Sequence, residues 1–326
     1  MYLVTGAAGF IGSHIVRALN DRGITEIIAV DDLTQCSRFA NLADCRIADY
    51  MDRSELRREL DAGTFSASVK AIFHQGACTD TMETDGRYMM DNNFTFSKAL
   101  LGFALTCGLP FVYASSAATY GASQDTRIDP DNERPLNVYG YSKLAFDQHV
   151  RHVAGKAGST VVGLRYFNVY GPNEAHKGRM ASMVYQLHRQ LCQTGKARLF
   201  EGTGGYGNGE QRRDFVFVGD VVKVNLFFAE GPVCKAIVNV GTGHSRSFND
   251  IARTLIQLRG SGEIEYIPFP RELEGKYQSF TEADLTDLRA AGYAEPFTSL
   301  EEGVAQCVQT WASPQERSTE QPKCPG

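Results

Sequence analysis

With 326 residues, 43% of them hydrophobic, the chain can bury a large core in one domain or in two. Its formal net charge of −5 disfavours nonspecific binding to nucleic acid, and no cluster of Lys and Arg opposes that conclusion. No stretch approaches the roughly 20 apolar residues of a membrane span, and the N-terminus lacks the features of a secretion signal, so we expect a cytoplasmic protein.

The eight cysteines are scattered, with neither a CxxC motif nor a His pair at metal-binding spacing. We therefore expect reduced thiols and no metal site, and the spacing indicates no disulfide framework.

The N-terminal residues predict a strand, a glycine-rich turn and a helix. Residues 2–5 are a short apolar run, and apolar residues recur at helical spacing over 11–19. Between them, Gly6 permits a tight bend, Gly9 lets the backbone approach a pyrophosphate, and Gly12 lets helix and strand pack closely. Because the helix also presents unpaired N–H groups at its start, this turn is typical of phosphate binding.

The second predicted strand, residues 27–31, ends in an acidic residue. A carboxylate at the position of Asp31 is placed to hydrogen-bond an adenosine ribose, which favours NAD. Arg38 and Arg53 follow, and a guanidinium matches a 2′-phosphate, so NADP stays open. Asp32 would repel that phosphate unless one of the two adjacent carboxylates points away.

A third strand is predicted over 69–74, followed by small residues at 75–79 that let a ligand approach the backbone. His74, alone at the end of an apolar strand, is more typical of a packed or hydrogen-bonded residue than of a catalytic one. Residues 91–93 then open a predicted helix, and the next strand, 111–114, is followed by Ser116.

Tyr139 and Lys143 are four residues apart, so in a helix they share one face. A phenol titrates near about 10 in water, but a nearby ammonium favours its ionised form, and Tyr139 could then act as a general base near neutral pH. A bare YxxxK occurs often by chance, so the interpretation depends on its context.

Strands that alternate with helices and end in special residues predict an α/β fold, a Rossmann-type doubly wound parallel sheet with ligands at the strand ends. Residues 161–165 continue the series, strands are also predicted at 216–220 and 237–243, and a smaller α/β substrate-binding domain follows. The predicted cofactor domain is 1–168 with 214–245 returning to it, the substrate domain is 169–213 and 246–311, and 312–326 form a disordered tail.

The glycines, Asp31, Ser116 and the Tyr139/Lys143 pair together resemble the extended short-chain dehydrogenase/reductases that modify nucleotide sugars. The stretches 91–93, 113–121, 165–172 and 176–178 narrow this resemblance to the ADP-L-glycero-D-manno-heptose 6-epimerase family. The resemblance implies tightly held NADP, an ADP-heptose substrate, a homo-oligomer that is usually a pentamer, and a role in making the heptose of lipopolysaccharide core.

It also implies a mechanism in which hydride leaves C6, a 6-keto intermediate forms, and hydride returns to the opposite face. Tyr139 and Lys177 would be the two acid/base residues, assisted by Lys143, while Ser116 would hydrogen-bond the reacting oxygen. The alternative for Lys177 is that it only contacts cofactor or phosphate. The implied cofactor contacts are Gly6, Gly9, Phe10, Ile11, Gly12, Asp31, Asp32, Arg38, Arg53, Gln75, Gly76, Ala77, Cys78, Thr79, Asn92, Lys143, Val169 and Lys177. The implied substrate contacts are Ser116, Asn168, Arg179, Gln186, Phe200, Glu201, Gly202, Thr203, Arg213 and Tyr277.

Asp32, Arg179 and Gln186 depart from the family pattern, which leaves cofactor preference and fine substrate contacts open. A second possible function is a 4-epimerase or 4,6-dehydratase of another nucleotide sugar. A dehydratase needs an acidic residue just after the serine, and Ala117 and Ala118 stand there instead. A cofactor-binding scaffold without turnover is disfavoured because all four catalytic candidates are retained.

Overall fold

A seven-stranded parallel sheet organises the structure, a computed structural model that describes residues 1–270 and 278–312. The strands are β1 (Tyr2–Thr5), β2 (Ile27–Asp31), β3 (Asp49–Asp52), β4 (Ala71–His74), β5 (Phe111–Ser116), β6 (Val161–Tyr166), β7 (Asn168–Tyr170), β8 (Lys196–Phe200), β9 (Arg212–Arg213), β10 (Phe215–Phe217), β11 (Lys235–Val240), β12 (Arg246–Ser247) and β13 (Glu263–Ile267). The order across the large sheet is β11-β6-β5-β4-β1-β2-β3.

The helices are α1 (Phe10–Asp21), α2 (Arg53–Ala62), α3 (Gly86–Met90), α4 (Phe96–Cys107), α5 (Val138–Val153), α6 (Met183–Thr194), α7 (Val218–Glu230), α8 (Phe248–Arg259), α9 (Thr286–Ala290) and α10 (Leu300–Trp311). Among these described helices, none is both long and apolar enough to cross a membrane.

Both faces of the large sheet are covered by helices. Successive side chains of a strand point to opposite faces, so Val4 joins an apolar cluster with α1 and α7, while Leu3 joins another with α2, α4 and α5. Strands buried on both sides read as near-continuous apolar runs, which is why they were recognisable in the sequence. The predicted Rossmann-type doubly wound parallel sheet is confirmed.

A third apolar cluster lies apart from the large sheet. It is built from α6, α8 and α10, with residues such as Leu187, Ile251 and Val304 fully buried. Two short strands, β8 and β13, pair in parallel beside it. These helices and the pair of parallel strands form the smaller α/β unit that the sequence predicts. The predicted bounds of the domains remain a prediction.

Two predicted elements differ from the structure. The strand predicted over 216–220 ends at Phe217, and α7 begins at Val218, because a short apolar run does not distinguish a strand from a buried helix. The helix predicted to open at residue 91 begins earlier, at Gly86, where the Asp85 side chain accepts a hydrogen bond from Tyr88 N and caps it. Asp91–Thr95 form a π-helical turn between α3 and α4.

Several other expectations can be compared with the described residues. Buried His74 lies 2.7 Å from both the Thr5 and the Ser97 hydroxyls, so its predicted structural role is confirmed. Among the described residues six cysteines are free, but Cys36 is disulfide-bonded, so the expectation of a reduced thiol is wrong at Cys36. Over 1–270 and 278–312, no cluster of His, Cys, Asp or Glu could hold a metal. The predicted tail lies outside the described residues from position 313 onward.

A buried charge network joins α5 to the sheet. Fully buried Arg165 of β6 donates from Nε to Asp147 Oδ2 at 2.9 Å and from Nη2 to Glu133 Oε1 at 2.5 Å. Asp147 also accepts hydrogen bonds from Tyr113 and Ser115 of β5, each at 2.9 Å. The helix that carries Tyr139 and Lys143 is therefore held to two neighbouring strands.

Replacing Arg165 by Met should lower the free energy of unfolding by about 3–5 kcal/mol, because the Asp147 carboxylate would be buried without a cation. Urea unfolding followed by circular dichroism measures the change. As a control, Arg22→Met removes an exposed pair with Glu230 and should change stability little. Equal effects of the two substitutions would contradict the assigned role of Arg165.

Candidate active site

The N-terminal turn is shaped by close backbone contacts. Gly6 has a φ of +66°, and a Cβ there would lie 2.7 Å from the Gly76 nitrogen. A Cβ on Gly12 would overlap the Gly6 carbonyl oxygen. Gly9 is the N-cap of α1 and provides no side-chain cap. The N–H groups of the first turn of α1 therefore face the ligand side of the sheet, where they suit an anion.

Charged side chains at the end of β2 neutralise one another. Arg38 Nη2 lies 2.9 Å from Asp31 Oδ1, and Arg53 Nη2 lies 3.9 Å from Asp32 Oδ2. Asp31 Oδ2 accepts from Ala8 N at 2.7 Å, and Asp32 Oδ1 turns back to accept from Thr34 N at 2.9 Å. The two carboxylates are thus engaged by donors of the protein, and two guanidinium groups balance their charge.

These residues line a first cavity of about 230 Å³, which we call the glycine-turn cavity. It brings together sixteen of the eighteen predicted cofactor contacts, from the glycine turn, the end of β2, residues 75–79 and Asn92. Lys143 and Val169 lie in a second cavity instead. Tyr88, Phe96 and His176 also line the glycine-turn cavity, although the sequence analysis did not select them.

The second cavity, of about 650 Å³, is called the Tyr139 cavity here. Its lining includes Ser116, Tyr139, Lys143 and Lys177, which are the four predicted catalytic residues. It shares Phe10, Ile11, Gln75, Ala77, Thr79 and Lys177 with the glycine-turn cavity, so the two cavities adjoin.

Tyr139 and Lys143 are placed by the start of α5. Asn137 caps this helix by accepting a hydrogen bond from Gly140 N at 2.8 Å, which puts Tyr139 in its first turn. Lys143 follows one turn later and donates from Nζ to the carbonyl oxygen of Ala114 at 2.9 Å. Ser116 ends β5, and its side chain opposes the rise in the pKa of the Tyr139 phenol.

Burial shifts the pKa values of both α5 residues. It lowers the pKa of Lys143 to about 8, although Asp147 one turn further along α5 opposes this. It raises the pKa of Tyr139 above 10.0, with the hydrogen bond to Ser116 opposing the rise. The net shift of the Tyr139 pKa is therefore upward, opposite to the lowered value expected beside an ammonium, because burial is the largest cause at the phenol.

Lys177 reaches the site from a different part of the chain, the helical segment Ala175–Met180. Its Nζ lies 5.1 Å from the ring centroid of Phe10, at the start of α1. Burial lowers the pKa of the Lys177 ammonium, and the nearby Glu174 carboxylate opposes that change. A second titratable group thus stands in the same cavity as Tyr139 without sharing its helix.

Some predicted substrate contacts meet in the Tyr139 cavity and others do not. Asn168, Gln186, Phe200 and Arg213 line it with Ser116. Of the remaining ones that the structure describes, Arg179, Glu201, Gly202 and Thr203 line neither cavity, and Tyr277 lies outside the described residues. The Arg179 guanidinium instead pairs with Asp80 at 2.9 Å.

Several lining residues could have been found from spacing. Tyr88 lies four residues before Asn92, which places it on the same face of a helical turn. Arg198 lies two residues before Phe200 on β8, so both side chains point to one side of the strand. Met183 likewise lies three residues before the predicted contact Gln186 on α6, whereas Met180, at the end of the segment Ala175–Met180, carries no such signal.

The chain belongs to the NAD dependent epimerase/dehydratase family, which it matches over residues 2–241. It is 52% identical over 322 residues to ADP-L-glycero-D-manno-heptose-6-epimerase from Thiobacillus denitrificans, a match that covers 94% of this chain and 97% of that protein. The family resemblance inferred from the sequence, and the prediction of an isomerase, are thereby confirmed.

Solved structures agree with this assignment. The crystal structure of ADP-L-glycero-D-manno-heptose-6-epimerase from Helicobacter pylori superposes with a TM-score of 0.81 at 30% identity and covers 95% of each chain. UDP-glucose 4-epimerase from Thermus thermophilus, solved in complex with NAD, has a TM-score of 0.76 at 26% identity and covers 96% of this chain and 99% of its own.

Replacing Gly12 by Ala should lower the free energy of unfolding by about 1–3 kcal/mol and reduce the dinucleotide content of the purified protein, because the new methyl group forces α1 away from Gly6. Gly102→Ala is the matched control. A Cβ at Gly102 meets nothing within 4 Å, so alanine should be tolerated there. Normal stability and nucleotide content in the Gly12 variant would show that the close contact is unimportant.

Proposed function

We propose that the protein inverts C6 of the heptose in ADP-D-glycero-D-manno-heptose to give ADP-L-glycero-D-manno-heptose, through a transient 6-keto intermediate. The observation that carries this proposal is the meeting of Ser116, Tyr139, Lys143 and Lys177 in one cavity beside the glycine turn. The 52% identity to an enzyme of that name supports the choice of sugar.

The residues at the glycine turn fit a dinucleotide. Uncapped N–H groups at the start of α1 suit its pyrophosphate, and the small residues 75–79 leave room for it beside the sheet. When bound, NADP supplies the chemistry that no side chain can, by accepting a hydride from C6 and returning it. Lys143 and Val169, in the Tyr139 cavity, lie on the side where the reactive end of the cofactor is needed.

We infer a preference for NADP over NAD from the charges at the end of β2. A 2′-phosphate would meet Arg38 and Arg53, while Asp31 is paired with Arg38 and the Asp32 carboxylate accepts hydrogen bonds from Thr34. The repulsion expected from two adjacent carboxylates is thereby offset. Guanidinium groups are well matched to phosphate oxygens in both charge and geometry.

Two proton carriers are needed because the C6 hydroxyl occupies different positions in the two epimers. Burial keeps the Tyr139 phenol protonated in the resting protein, so it is suited to donate a proton to the keto oxygen, with Ser116 in the same cavity. Burial lowers the pKa of Lys177, so more of it is in the neutral form that can accept a proton near neutral pH than for a surface lysine. In the reverse reaction each residue performs the opposite transfer.

The substrate would bind in the Tyr139 cavity against residues that come after β6 in the sequence. These contacts are Asn168, Gln186, Phe200 and Arg213. We propose the predicted domain division, and the separate apolar clusters around the large sheet and around α6, α8 and α10 support it. By family resemblance, the protein works in the cytoplasm as a homo-oligomer, usually a pentamer, and serves the synthesis of lipopolysaccharide core heptose.

Incubating the purified protein with ADP-D-glycero-D-manno-heptose, without added cofactor, tests the function directly. NMR should show both C6 epimers at equilibrium, because the cofactor is restored in each cycle and stays bound. UDP-glucose serves as the comparison substrate, since 4-epimerases share the fold. Conversion of UDP-glucose alone would identify a 4-epimerase and overturn the proposal.

The bound nucleotide released by denaturing the purified protein should be mainly NADP. Arg38→Ala should weaken NADP binding by about 1.5–3 kcal/mol, the range for a charge-assisted hydrogen bond, and should weaken NAD binding less. Titrating the nucleotide-free protein with both cofactors measures that difference. Finding only NAD in the extract, together with equal losses for the two cofactors in the variant, would reject the preference.

Tyr139→Phe and Lys177→Met keep most of the side-chain volume but remove the proton carrier, so each should lower turnover by ~10²–10⁴-fold. With an analogue that ends in an aldehyde, oxidation and reduction can be followed separately, and each variant should retain one of these reactions better than the other. Tyr141→Phe, at an exposed position on the same helix, is the control. Near-normal turnover of Lys177→Met would reduce Lys177 to a cofactor contact.

A further inference from the structure

Lys177 lies in the segment that connects β7 to α6, residues 171–182, which we call the Lys177 loop. The loop is closed at its base by Glu174, whose side chain is fully buried. Glu174 Oε1 accepts from Gly171 N at 3.3 Å and from Ser182 Oγ at 2.7 Å, and Oε2 accepts from Ser182 N at 2.5 Å. One carboxylate therefore ties the first and last residues of the loop together.

The loop is also seated against α1. His14 Nε2 lies 3.0 Å from the Pro172 carbonyl oxygen, and Asn173 Nδ2 donates to Ser13 Oγ at 3.2 Å. Asn173 adopts a φ of +66°, a left-handed conformation that asparagine tolerates better than most residues. These contacts bring the loop to the helix start where Lys177 lies over the Phe10 ring.

Within the loop, Glu174 and Lys177 belong to one helical turn, because Lys177 N donates to the Glu174 carbonyl oxygen at 3.0 Å. Three donors aimed at the Glu174 carboxyl group suit its ionised form, in which both oxygens accept. Burial raises the pKa of Glu174, and the Lys177 ammonium is the first of the groups that oppose this. The Lys177 ammonium thus favours the ionised form of the buried Glu174 carboxylate.

Other titratable groups around the loop do not replace Glu174. Burial lowers the pKa of His14 and of His176 to about 4, so both rings are neutral at neutral pH. Arg38, which faces His176, is paired with Asp31. The negative charge that acts on Lys177 therefore comes from Glu174.

We propose that Glu174 is a positioning residue for the second proton carrier, closing the Lys177 loop and holding the Lys177 ammonium over the start of α1. The inference rests on the proposed function, in which Lys177 exchanges a proton with the substrate. Glu174 itself lines neither cavity, so it acts through Lys177 rather than on substrate or cofactor. It accepts the hydrogen bonds that fix the loop, and its charge opposes the lowering of the Lys177 pKa by burial.

The test is the pH dependence of Lys177 acetylation, followed by peptide mass spectrometry on the purified protein. In Glu174→Gln the reaction midpoint should move to lower pH, because the counter-charge that raises the pKa of Lys177 is gone. In Glu174→Asp, which keeps the charge, it should stay near that of the wild type. Turnover of ADP-heptose at pH 7 should fall by about 10²-fold in Glu174→Gln, as expected when a reacting group is misplaced.

Two further variants separate charge from loop closure. Ser182→Ala keeps the carboxylate but removes one of its donors, so turnover should fall while the acetylation midpoint stays unchanged. Glu230→Gln makes the same chemical change at an exposed ion pair near the N-terminal end of β1 and should leave both readouts unchanged.

An unchanged acetylation midpoint in Glu174→Gln would overturn the charge role, and normal turnover in Ser182→Ala would overturn loop closure. Wild-type protein that does not convert ADP-heptose would instead refute the proposed function, while the acetylation readout would still decide the effect of Glu174 on Lys177. If Glu174→Gln does not fold, the comparison of Glu174→Asp with Ser182→Ala still decides loop closure, since normal turnover in both would overturn it.

Discussion

The buried guanidinium of Arg165 is the constraint on which the site depends most. It lies between Asp147 of α5 and Glu133 of the segment before that helix, and all three side chains are removed from water. Burying an isolated charge costs free energy, so removing one of these three groups would leave another buried charge without its partner. Because Asp147 also accepts from two residues of β5, the helix has one favourable position on the sheet, and that position sets where Tyr139 and Lys143 stand.

The parallel sheet brings most of the other site residues close together, because they lie at the same edge of the sheet. Its strands end at one edge, where the glycine turn after β1, the carboxylates at the end of β2 and Ser116 at the end of β5 come together. Open α/β sheets bind ligands in this crevice, at the carboxyl ends of the strands. Lys177 is the exception, because it arrives on a loop beyond the regular alternation. Its adjacency to Phe10 places it where the two cavities adjoin.

The sequence predicts those parts of the site in which the residue type is set by the local backbone conformation or by helix spacing. Gly6 adopts a positive φ, Gly12 packs against the Gly6 carbonyl group a few residues away, and the spacing of Tyr139 and Lys143 defines a helix face. Effects that arise only from tertiary packing could not be predicted from the sequence. The Arg38–Asp31 ion pair is seen only in the folded chain, and burial, not a neighbouring charge, dominates the pKa of Tyr139.

Two other features, the start of α3 and the role of Glu174, were also missed in the sequence because they depend on the folded structure. Asp85 caps the helix that Asp91 was expected to open, and both are acidic residues with capping potential, so composition alone does not choose between them. Glu174 looks like an ordinary surface acid in the sequence. Its importance appears only when the loop folds back and presents Ser182 to it.

The central claim is that inversion proceeds by removing hydride from C6 and returning it to the other face, with Tyr139 and Lys177 moving only the hydroxyl proton. Substrate that carries deuterium at C6 tests this claim most directly, because a hydride held within the site does not exchange with solvent. NMR of the product formed in ordinary water should show full retention of deuterium at the inverted carbon. Replacement of that deuterium by solvent hydrogen during inversion would contradict the account, since it would require deprotonation at carbon.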